Sequence, residues 1–277
     1  MTTTTPPTAL TIAGSDSGGG AGVQADLKTF AALGVHGTSA ITALTAQNSV
    51  GVFGVHVAPA SFVDQQIAVV LADFDVGAVK TGMLATAEIV SVVAARAAKG
   101  ELVNLVVDPV MVATSGDHLL EPGATNAYVC ELFPHATVIT PNLAEASLLV
   151  GRPVSTLDEQ IDAARRLFDY GPKWVVVTGG DTDGNEVVDV VFDGTTIRLL
   201  RSTRIPTINT HGTGCTFSAA IAARLAAGDP CPDAIDVAKR YITAALHGAA
   251  DWRLGRGHGP VDHLTLEARA GTTDEPM

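Results

Sequence analysis

One stretch of the sequence combines small residues, a thiol and the start of a helix. Residues 210–215 read Thr-His-Gly-Thr-Gly-Cys, and a helical pattern follows directly. The first N–H groups of a helix lack partners within it, and the helix dipole adds partial positive charge there. The turn therefore predicts an anion site, most naturally for a phosphoryl group, with Cys215 beside it. At such a position we expect the pKa of the thiol to fall below its usual value of about 8.5.

The same residues also fit a simpler interpretation. Two glycines before a helix are often only a tight turn that caps it, and a buried cysteine is often a small apolar filler. Whether Cys215 does chemistry therefore depends on what the rest of the chain places around it.

A glycine-rich loop at residues 14–22 follows the first predicted strand. Glycines let a backbone come close to a ligand. The loop fits a dinucleotide-binding fingerprint poorly, and it lacks the Lys-Ser/Thr ending of a phosphate-binding P-loop. Asp16 within it is expected either to cap the turn, which is the commoner role, or to contact a ligand.

Polar and sulfur side chains follow several other predicted strands. Gln47 either forms a turn or binds the edge of a heterocycle, since an amide offers both donors and an acceptor. Met83 belongs to the core or lies over a flat ring. Asp108 ends a buried strand, where open α/β sheets bind ligands. Asn142 and Glu145 form either a capping box or a metal or phosphate site, and their spacing alone does not separate the two.

Strands alternate with helices of about 10–15 residues, which predicts a mainly parallel sheet with helices on both faces. We expect strands at residues 9–13, 38–46, 55–57, 77–81, 105–107, 138–140 and 174–178, and a hairpin at 187–192 and 196–200. Expected helices cover residues 23–33, 59–71, 87–98, 122–132, 156–170, the segment after Cys215, and 232–254. The fold class is then α/β and doubly wound, in a single domain of residues 1–277 with flexible tails at about 1–8 and 271–277.

Composition excludes several classes of function. The chain has 277 residues, is 47% hydrophobic and carries a net charge of −12 without a basic stripe, which argues against nucleic-acid binding. No apolar run reaches the ~18 residues of a membrane span, and the first residues do not form a signal peptide. The three cysteines match no zinc or redox motif, so a reducing cytoplasm is the expected location.

In a doubly wound sheet these strand ends share one rim, so residues far apart in sequence meet in one cleft. Phosphoryl transfer requires an anion cradle, a metal between phosphates and a proton acceptor for the nucleophile. The glycine turn is the candidate cradle. Asp108 and Glu145 are candidate Mg²⁺ ligands, because that ion prefers oxygen. Cys215 is the candidate proton acceptor.

Several longer motifs resemble hydroxymethylpyrimidine/phosphomethylpyrimidine kinases, a family of thiamine biosynthesis within the ribokinase-like superfamily. They are AGSDSGGGAGVQADLKTF at 13–30, TALTAQN at 42–48, KTGML at 80–84, VDPV at 107–110, TPNLAEA at 140–146 and NTHGTGCT at 209–216. The resemblance extends over about residues 9–263. Most sugar kinases of the superfamily have Asp at the position of Cys215, which favours the vitamin-kinase branch.

The resemblance implies ATP and Mg²⁺, a homodimer, and two successive phosphorylations of one pyrimidine. It implies a substrate pocket, a nucleotide site, a metal site and an anion hole. The residues that it places there are Gln47, Ala21, Met83, Val110 and Asp16 for the pyrimidine; Asn142, Thr178 and Thr213 for the nucleotide; Asp108 and Glu145 for the metal; and Gly212, Gly214 and Cys215 for catalysis.

One departure from the family pattern concerns a cation. The family usually has Lys-Gly-Gly-His where this chain has Thr178-Gly-Gly-Asp181. Either Lys80 or Lys239 supplies the missing charge, or nucleotide affinity is reduced. Two alternatives therefore stay open beside the pyrimidine kinase: a pyridoxine/pyridoxal kinase, and a catalytically weakened ligand-binding protein of the same fold.

Overall fold

A computed structural model describes residues 5–111, 121, 123–180 and 184–264. The strands within these residues are β1 (Thr8–Ser15), β2 (His36–Gln47), β3 (Val52–Val57), β4 (Val76–Thr81), β5 (Val106–Val107), β6 (Val138–Ile139), β7 (Trp174–Val177), β8 (Glu186–Phe192) and β9 (Ile197–Thr203). The helices are α1 (Gly22–Ala32), α2 (Ala60–Asp73), α3 (Ala87–Ala98), α4 (Ala124–Ala127), α5 (Leu143–Val150), α6 (Leu157–Phe168), α7 (Thr213–Ala226) and α8 (Cys231–Gly248). A π-helical turn (Tyr128–Leu132) and a 3₁₀ turn (Phe133–His135) continue α4.

The strands form one sheet in the order β3-β2-β1-β4-β5-β6-β7-β8-β9. The six strands from β2 to β7 run parallel, and antiparallel pairing is confined to β3 at one edge and to β8 and β9 at the other. The chain moves from β1 outward to β2 and later returns to β4 on the other side of β1, which creates a switch point between β1 and β4. The predicted fold class, a doubly wound α/β sheet, is confirmed.

Two apolar cores lie on opposite faces of the sheet. Helices α1, α7 and α8 cover one face, where Phe30, Phe217 and Tyr241 are buried against alternate strand residues such as Val106. Helices α2 to α6 cover the other face, where Val107 belongs to the second core. Because side chains alternate along a strand, neighbouring residues of β5 enter different cores.

The last helix is shorter than the predicted span of 232–254. Helix α8 ends at Gly248, and the side chain of Asn209 donates hydrogen bonds to the carbonyl groups of Ala249 (2.7 Å) and Trp252 (3.0 Å). These carbonyls are thus oriented toward a neighbouring loop rather than toward a further helical turn.

Two other boundaries differ from the prediction. The helix expected at 122–132 begins at Ala124 in the described residues and widens into a π-helical turn at Tyr128. The expected N-terminal tail is too long, because Thr8 already pairs with β2 and β4. Residues 1–4, 122 and the expected tail at 271–277 lie outside the described residues.

Residues 255–263, here named the C-terminal strap, pass beneath the turn between β2 and β3. Ser49 Oγ accepts hydrogen bonds from the backbone N–H groups of Arg256 (3.0 Å) and Gly257 (3.2 Å). The strap then reaches the glycine turn, where the His211 N–H donates to the carbonyl of Gly259 at 3.0 Å. At Gly257 a Cβ would lie 2.0 Å from the Ser49 carbonyl oxygen, so this crossing requires glycine.

In the part of the chain that the structure describes, no helix has the length and apolar character to cross a membrane.

Candidate active site

The central feature of the rim is a group of ionisable side chains from four different elements. Asp26 on α1, Lys80 on β4, Asp108 after β5 and Cys215 on α7 interact beneath the switch point. Lys80 Nζ lies 3.0 Å from Asp26 Oδ2 and 3.8 Å from Asp108 Oδ2. The Cys215 thiol lies beside the Asp108 carboxylate, and each of the two groups affects the pKa of the other. The structure thus brings together the predicted proton acceptor and one predicted metal ligand.

The pKa of Cys215 corrects an expectation from the sequence. Burial raises the pKa of this thiol to about 12, even though the Lys80 charge and the Gly22 N–H lower it. The expected fall in pKa at the start of α7 is therefore wrong for the protein without ligands. Cys215 is a neutral thiol there at physiological pH.

Asp108 is also perturbed. Burial raises the pKa of its carboxyl group to about 6, against the opposing effects of Lys80 and of hydrogen bonds from Ser218 and Cys215. Ser218 Oγ, one helical turn after Cys215 on α7, lies 3.2 Å from Asp108 Oδ2. A carboxylate that is costly to ionise in this position favours a nearby cation.

The glycine turn and the glycine-rich loop are in direct contact. Gly212 precedes α7 with a φ of +82°, and a Cβ there would lie 1.9 Å from the Gly20 carbonyl oxygen and 3.2 Å from the Ala21 Cα. Thr213 is the first residue of α7, and Gly214 is exposed, so that a Cβ added to it would meet no atom within 4 Å. The start of α7 is therefore exposed and carries the partial positive charge of the helix dipole beside Cys215.

Asp16 caps the glycine-rich loop. Its carboxylate accepts hydrogen bonds from the N–H groups of Gly18 (2.8 Å), Gly20 (2.9 Å) and Ala21 (2.8 Å). His211 Nε2 lies 2.9 Å from the same carboxylate and links it to the glycine turn. Although burial favours the neutral acid, the bonds from His211 and Ala21 hold the pKa of Asp16 below its usual range. Of the two roles considered for Asp16, the structure favours the cap.

A small apolar cluster lies at the same rim. It contains Ala43, Met83 and Ala85, and Val110 packs against it. A Cβ on Gly14 would lie 3.1 Å from Met83 Sδ, so the beginning of the glycine-rich loop reaches this cluster too. Two of the predicted substrate residues, Met83 and Val110, are therefore neighbours.

Gln47 lies at the end of β2, beside the glycine-rich loop. Its backbone N–H and carbonyl are each 2.8 Å from Ser17 Oγ. Its side chain is half-buried, and Thr45 Oγ1 lies 3.2 Å from the side-chain oxygen. The backbone is fixed by the loop, while the amide remains at the edge of the rim.

Asn142, Glu145 and Thr178 form a second group at the ends of β6 and β7. Asn142 and Glu145 make a complete capping box, with both side-chain-to-backbone bonds at 2.9 Å. Asn142 also pairs with Thr178 in an isolated parallel bridge. The capping role of the pair is thus established, and any role toward metal or phosphate would be additional to it.

Neither lysine proposed to replace the missing cation is available at Thr178. Lys80 is fully buried with Asp26. Lys239 Nζ is 2.8 Å from Asp189 Oδ2, and the other carboxylate oxygen accepts a bond from the Gly179 N–H. Lys239 thus stabilises the turn after β7 through Asp189, and Asp181 lies outside the described residues.

The carboxylates suit Mg²⁺ by chemistry but do not form a complete cage. Among the described residues, no three His, Cys, Asp or Glu side chains form a metal-binding cluster. Asp108 and Glu145 both act on the buried hydroxyl of Tyr128, whose pKa burial and these two charges raise. The two carboxylates are therefore both near the Tyr128 hydroxyl. Mg²⁺ commonly binds only one or two protein carboxylates and completes its coordination with phosphate and water oxygens.

Sequence reasoning missed Asp26, His211, Ser218 and Tyr128 as parts of the site. A signal did exist for the first of them, because Lys80 interrupts the otherwise uncharged strand β4 and a buried cation requires an acidic partner. The sequence alone did not indicate which acidic residue that would be.

Comparison with known proteins gives a consistent result. A family model described as phosphomethylpyrimidine kinase matches residues 16–262. A hydroxymethylpyrimidine/phosphomethylpyrimidine kinase from Rhizobium meliloti is 51% identical, over 92% of this chain and 96% of its own length. A thiamine biosynthesis bifunctional protein, ThiED, from Geobacter sulfurreducens is 50% identical over 92% of this chain, and the chain spans only about half (52%) of that protein.

Solved structures are similar over most of the chain as well. An ADP complex of Bacillus subtilis pyridoxal kinase has a TM-score of 0.88 and 42% identity, and covers 95% of this chain and 99% of its own. Phosphomethylpyrimidine kinase from Clostridium difficile has a TM-score of 0.77 and 40% identity, and covers 87% of this chain and 99% of its own. The fold is therefore ribokinase-like, and with a matching model over residues 16–262 the chain belongs to the phosphomethylpyrimidine kinase family.

Proposed function

We propose that the protein phosphorylates 4-amino-5-hydroxymethyl-2-methylpyrimidine with ATP, and then phosphorylates the monophosphate to the diphosphate, in thiamine biosynthesis. The observation that carries this proposal is the grouping of Cys215, Asp108 and Lys80 at the start of α7, where Ser218 Oγ of the same helix lies 3.2 Å from Asp108 Oδ2. It places a proton acceptor and a carboxylate beside an open helix N-terminus, which is the arrangement that phosphoryl transfer requires.

The pyrimidine occupies the rim between the apolar cluster and the glycine-rich loop. Met83 and Val110 contact the faces of the ring, and the neighbouring Ala21 closes the pocket from the loop. The half-buried amide of Gln47 pairs with the aminopyrimidine edge, since an amide matches one donor and one acceptor there. Asp16 supports this pocket indirectly by holding the loop.

The nucleotide lies across the ends of β6 and β7, with its phosphates toward α7. Asn142, Thr178 and Thr213 contact it, and the N–H groups at Gly212 and Gly214 receive the transferred phosphoryl group. With Lys80 and Lys239 both engaged elsewhere, the charge that balances the phosphates would come from these N–H groups and from a bound metal ion. Asp108 and Glu145 would hold Mg²⁺, which would neutralise charge on the phosphates.

The two steps make different demands on Cys215. In the first step the acceptor is an alcohol. The Cys215 thiol first loses its own proton to solvent, and its thiolate then takes the hydroxyl proton as the alcohol oxygen bonds to the γ-phosphorus and ADP leaves. In the second step the acceptor is a phosphate monoester, which is largely ionised above its second pKa of about 6. That step needs no proton acceptor.

An ADP-release assay tests the proposal. The protein, with Mg²⁺ and ATP, is given the hydroxymethylpyrimidine, its monophosphate and pyridoxal in parallel. We expect ADP release with both pyrimidines and a lower kcat/KM with pyridoxal. Absence of substrate-dependent ADP release would support instead a ligand-binding protein of this fold.

Pyridoxal phosphorylation is the second candidate function. It is favoured by the likeness to pyridoxal kinases of Bacillus subtilis and Staphylococcus aureus, with TM-scores of 0.88 and 0.87. The same assay decides between them, because a kcat/KM that is higher with pyridoxal than with the hydroxymethylpyrimidine contradicts the first proposal.

We also propose that the protein is a homodimer that works in the cytoplasm. Edge strand β3 is exposed along nearly its whole length, and Phe53 is 72% exposed. A long, apolar edge strand in water is a site for association, and a second copy of the same strand complements it. The cytoplasmic location is supported by the free state of Cys130, Cys215 and Cys231.

A further inference from the structure

Lys80 is a buried cation that no step of the proposed reaction uses. It lies on β4, two residues after Ala78, and so its side chain points to the face covered by α1 and α7. The residue is 0% exposed. A lysine ammonium is rarely placed in such a position without paired charges.

One side of the ammonium is anchored. Lys80 Nζ lies 3.0 Å from both carboxylate oxygens of Asp26, and Thr11 Oγ1 donates to Asp26 Oδ2 at 2.6 Å. A Cβ on Gly82 would lie 2.9 Å from the same nitrogen. The ammonium is therefore held between α1 and the backbone that leaves β4.

The other side of the ammonium faces the reacting groups. Asp108 Oδ2 is 3.8 Å away, and Cys215 is close enough to interact with Lys80 as well. The buried ammonium thus has carboxylates on two sides, which is the pairing that a buried cation requires. If the only role of Lys80 were to neutralise Asp26, its position next to two residues of the transfer site would be unnecessary.

We propose that Lys80 is a positioning residue, anchored by Asp26, whose ammonium holds the Asp108 carboxylate and the Cys215 side chain facing each other at the point of phosphoryl transfer. The inference rests on the proposed kinase function. It acts through charge and geometry, and Lys80 itself touches neither the pyrimidine nor the nucleotide.

A charge-balanced pair of substitutions separates this role from a purely structural one. Lys80→Met alone leaves Asp26 unpaired and is expected to lower the unfolding temperature. Lys80→Met/Asp26→Asn removes both charges, so the fold regains most of that loss. If Lys80 positions the site, the double variant nevertheless keeps a kcat about 10²-fold below wild type in the first phosphorylation, with KM for the pyrimidine within about twofold.

Arg198→Met/Asp236→Asn is the matched control. Arg198 Nη2 and Asp236 Oδ1 form an ion pair at 2.6 Å between β9 and α8, and neither belongs to the site. We expect wild-type kcat and KM in this control. The measurements are thermal unfolding and steady-state ADP release with the hydroxymethylpyrimidine and its monophosphate.

The outcomes are distinct. A double variant that regains both stability and kcat overturns the inference, because Lys80 then only balanced Asp26. A double variant in which KM rises and kcat stays constant also overturns it, since the defect is then in binding. A wild-type protein that releases no ADP with either pyrimidine contradicts the proposed function, and this inference with it.

Discussion

Burial keeps the Cys215 thiol protonated, and in the proposed reaction its thiolate form accepts a proton in the first step only. We therefore expect Cys215→Ala to slow phosphorylation of the alcohol by about 10²–10⁴-fold and phosphorylation of the monophosphate far less. Steady-state ADP release with the two acceptors measures both effects. Equal losses in the two steps would assign Cys215 a packing role.

The raised pKa of Cys215 makes the first step depend on pH. Because the pKa of this thiol is about 12, its ionised fraction grows as the pH rises through the neutral range. We expect kcat/KM with the alcohol to rise from about pH 7 to about pH 9, and kcat/KM with the monophosphate to stay nearly flat there. A flat profile with both acceptors in wild type would contradict proton transfer to Cys215.

At the residue scale, the sequence identified some candidate site residues, but it did not show which side chains surround them. Cys215 and Asp108 could be identified because each lies in a short motif at the end of a predicted element. The pKa of Cys215 could not be predicted, since burial, together with the charges of Asp108 and Asp26, raises it more than the helix N-terminus lowers it. The Lys80–Asp26 pair joins residues 54 positions apart, and only the folded sheet shows that α1 lies over β4.

The glycine turn provides a matched pair of predictions at the scale of one element. A Cβ on Gly212 would overlap the Gly20 carbonyl at 1.9 Å in a left-handed conformation, whereas one on Gly214 meets no atom within 4 Å. We expect Gly212→Ala to lower the free energy of unfolding by more than about 2 kcal/mol. Denaturant unfolding of the purified variants measures this.

Gly214→Ala should leave stability unchanged or slightly higher, because alanine favours a helix over glycine by roughly 0.5–1 kcal/mol. Its methyl group projects into the open space where the phosphates are proposed to lie, so kcat/KM for ATP should fall. If ATP kinetics stay at the wild-type level, the phosphates do not occupy that space.

The glycine-rich loop should show its dependence on Asp16 in acid. The pKa of the Asp16 carboxyl group is lower in the folded than in the unfolded protein. The stability that Asp16 contributes is therefore fully present above the unfolded pKa of about 3.9, and it is lost as the pH falls through the lower pKa of the folded state. We expect Asp16→Asn to cost about 1–3 kcal/mol at pH 7. The difference from wild type should shrink below about pH 4 in urea unfolding, and Glu131→Gln, at an exposed carboxylate, serves as the control.

The boundaries of helices were predicted correctly where the local sequence pattern sets them, and incorrectly where a contact with a distant residue sets them. Helix α3 was expected at 87–98 and is found at Ala87–Ala98. The end of α8 was placed too late because Asn209, some forty residues earlier, binds the carbonyls that follow the helix. The capping box of Asn142 and Glu145 was one of two interpretations that the spacing allowed, and hydrogen-bond geometry was required to assign it.

At the scale of the whole molecule, edge strand β3 predicts association. We expect Phe53→Asp to convert a dimer into a monomer, because a carboxylate cannot be buried in an apolar interface without a partner. Val103→Asp, at another exposed apolar side chain, should leave the dimer intact. Light scattering after size exclusion gives the masses, and a monomeric wild type would remove the basis for the prediction.

The doubly wound arrangement itself could be predicted from the alternation of strands and helices, because parallel strands need crossover helices. The order of the strands in the sheet could not be predicted, since the alternation does not show on which side of β1 each later strand joins. The meeting of residues from β1 to α7 at one rim followed from the fold class. Their pairwise contacts did not, because these depend on the packing of α1 and α7 on one face.

The C-terminal strap has a consequence for how the site forms during synthesis. The glycine turn at His211 and the β2–β3 turn at Ser49 both form hydrogen bonds with residues 256–259. The residues of the proposed pyrimidine pocket lie in the first half of the chain, whereas the strap is among the last parts to be synthesised. Both turns therefore obtain these hydrogen-bond partners only after strands β1 to β9 have all been synthesised.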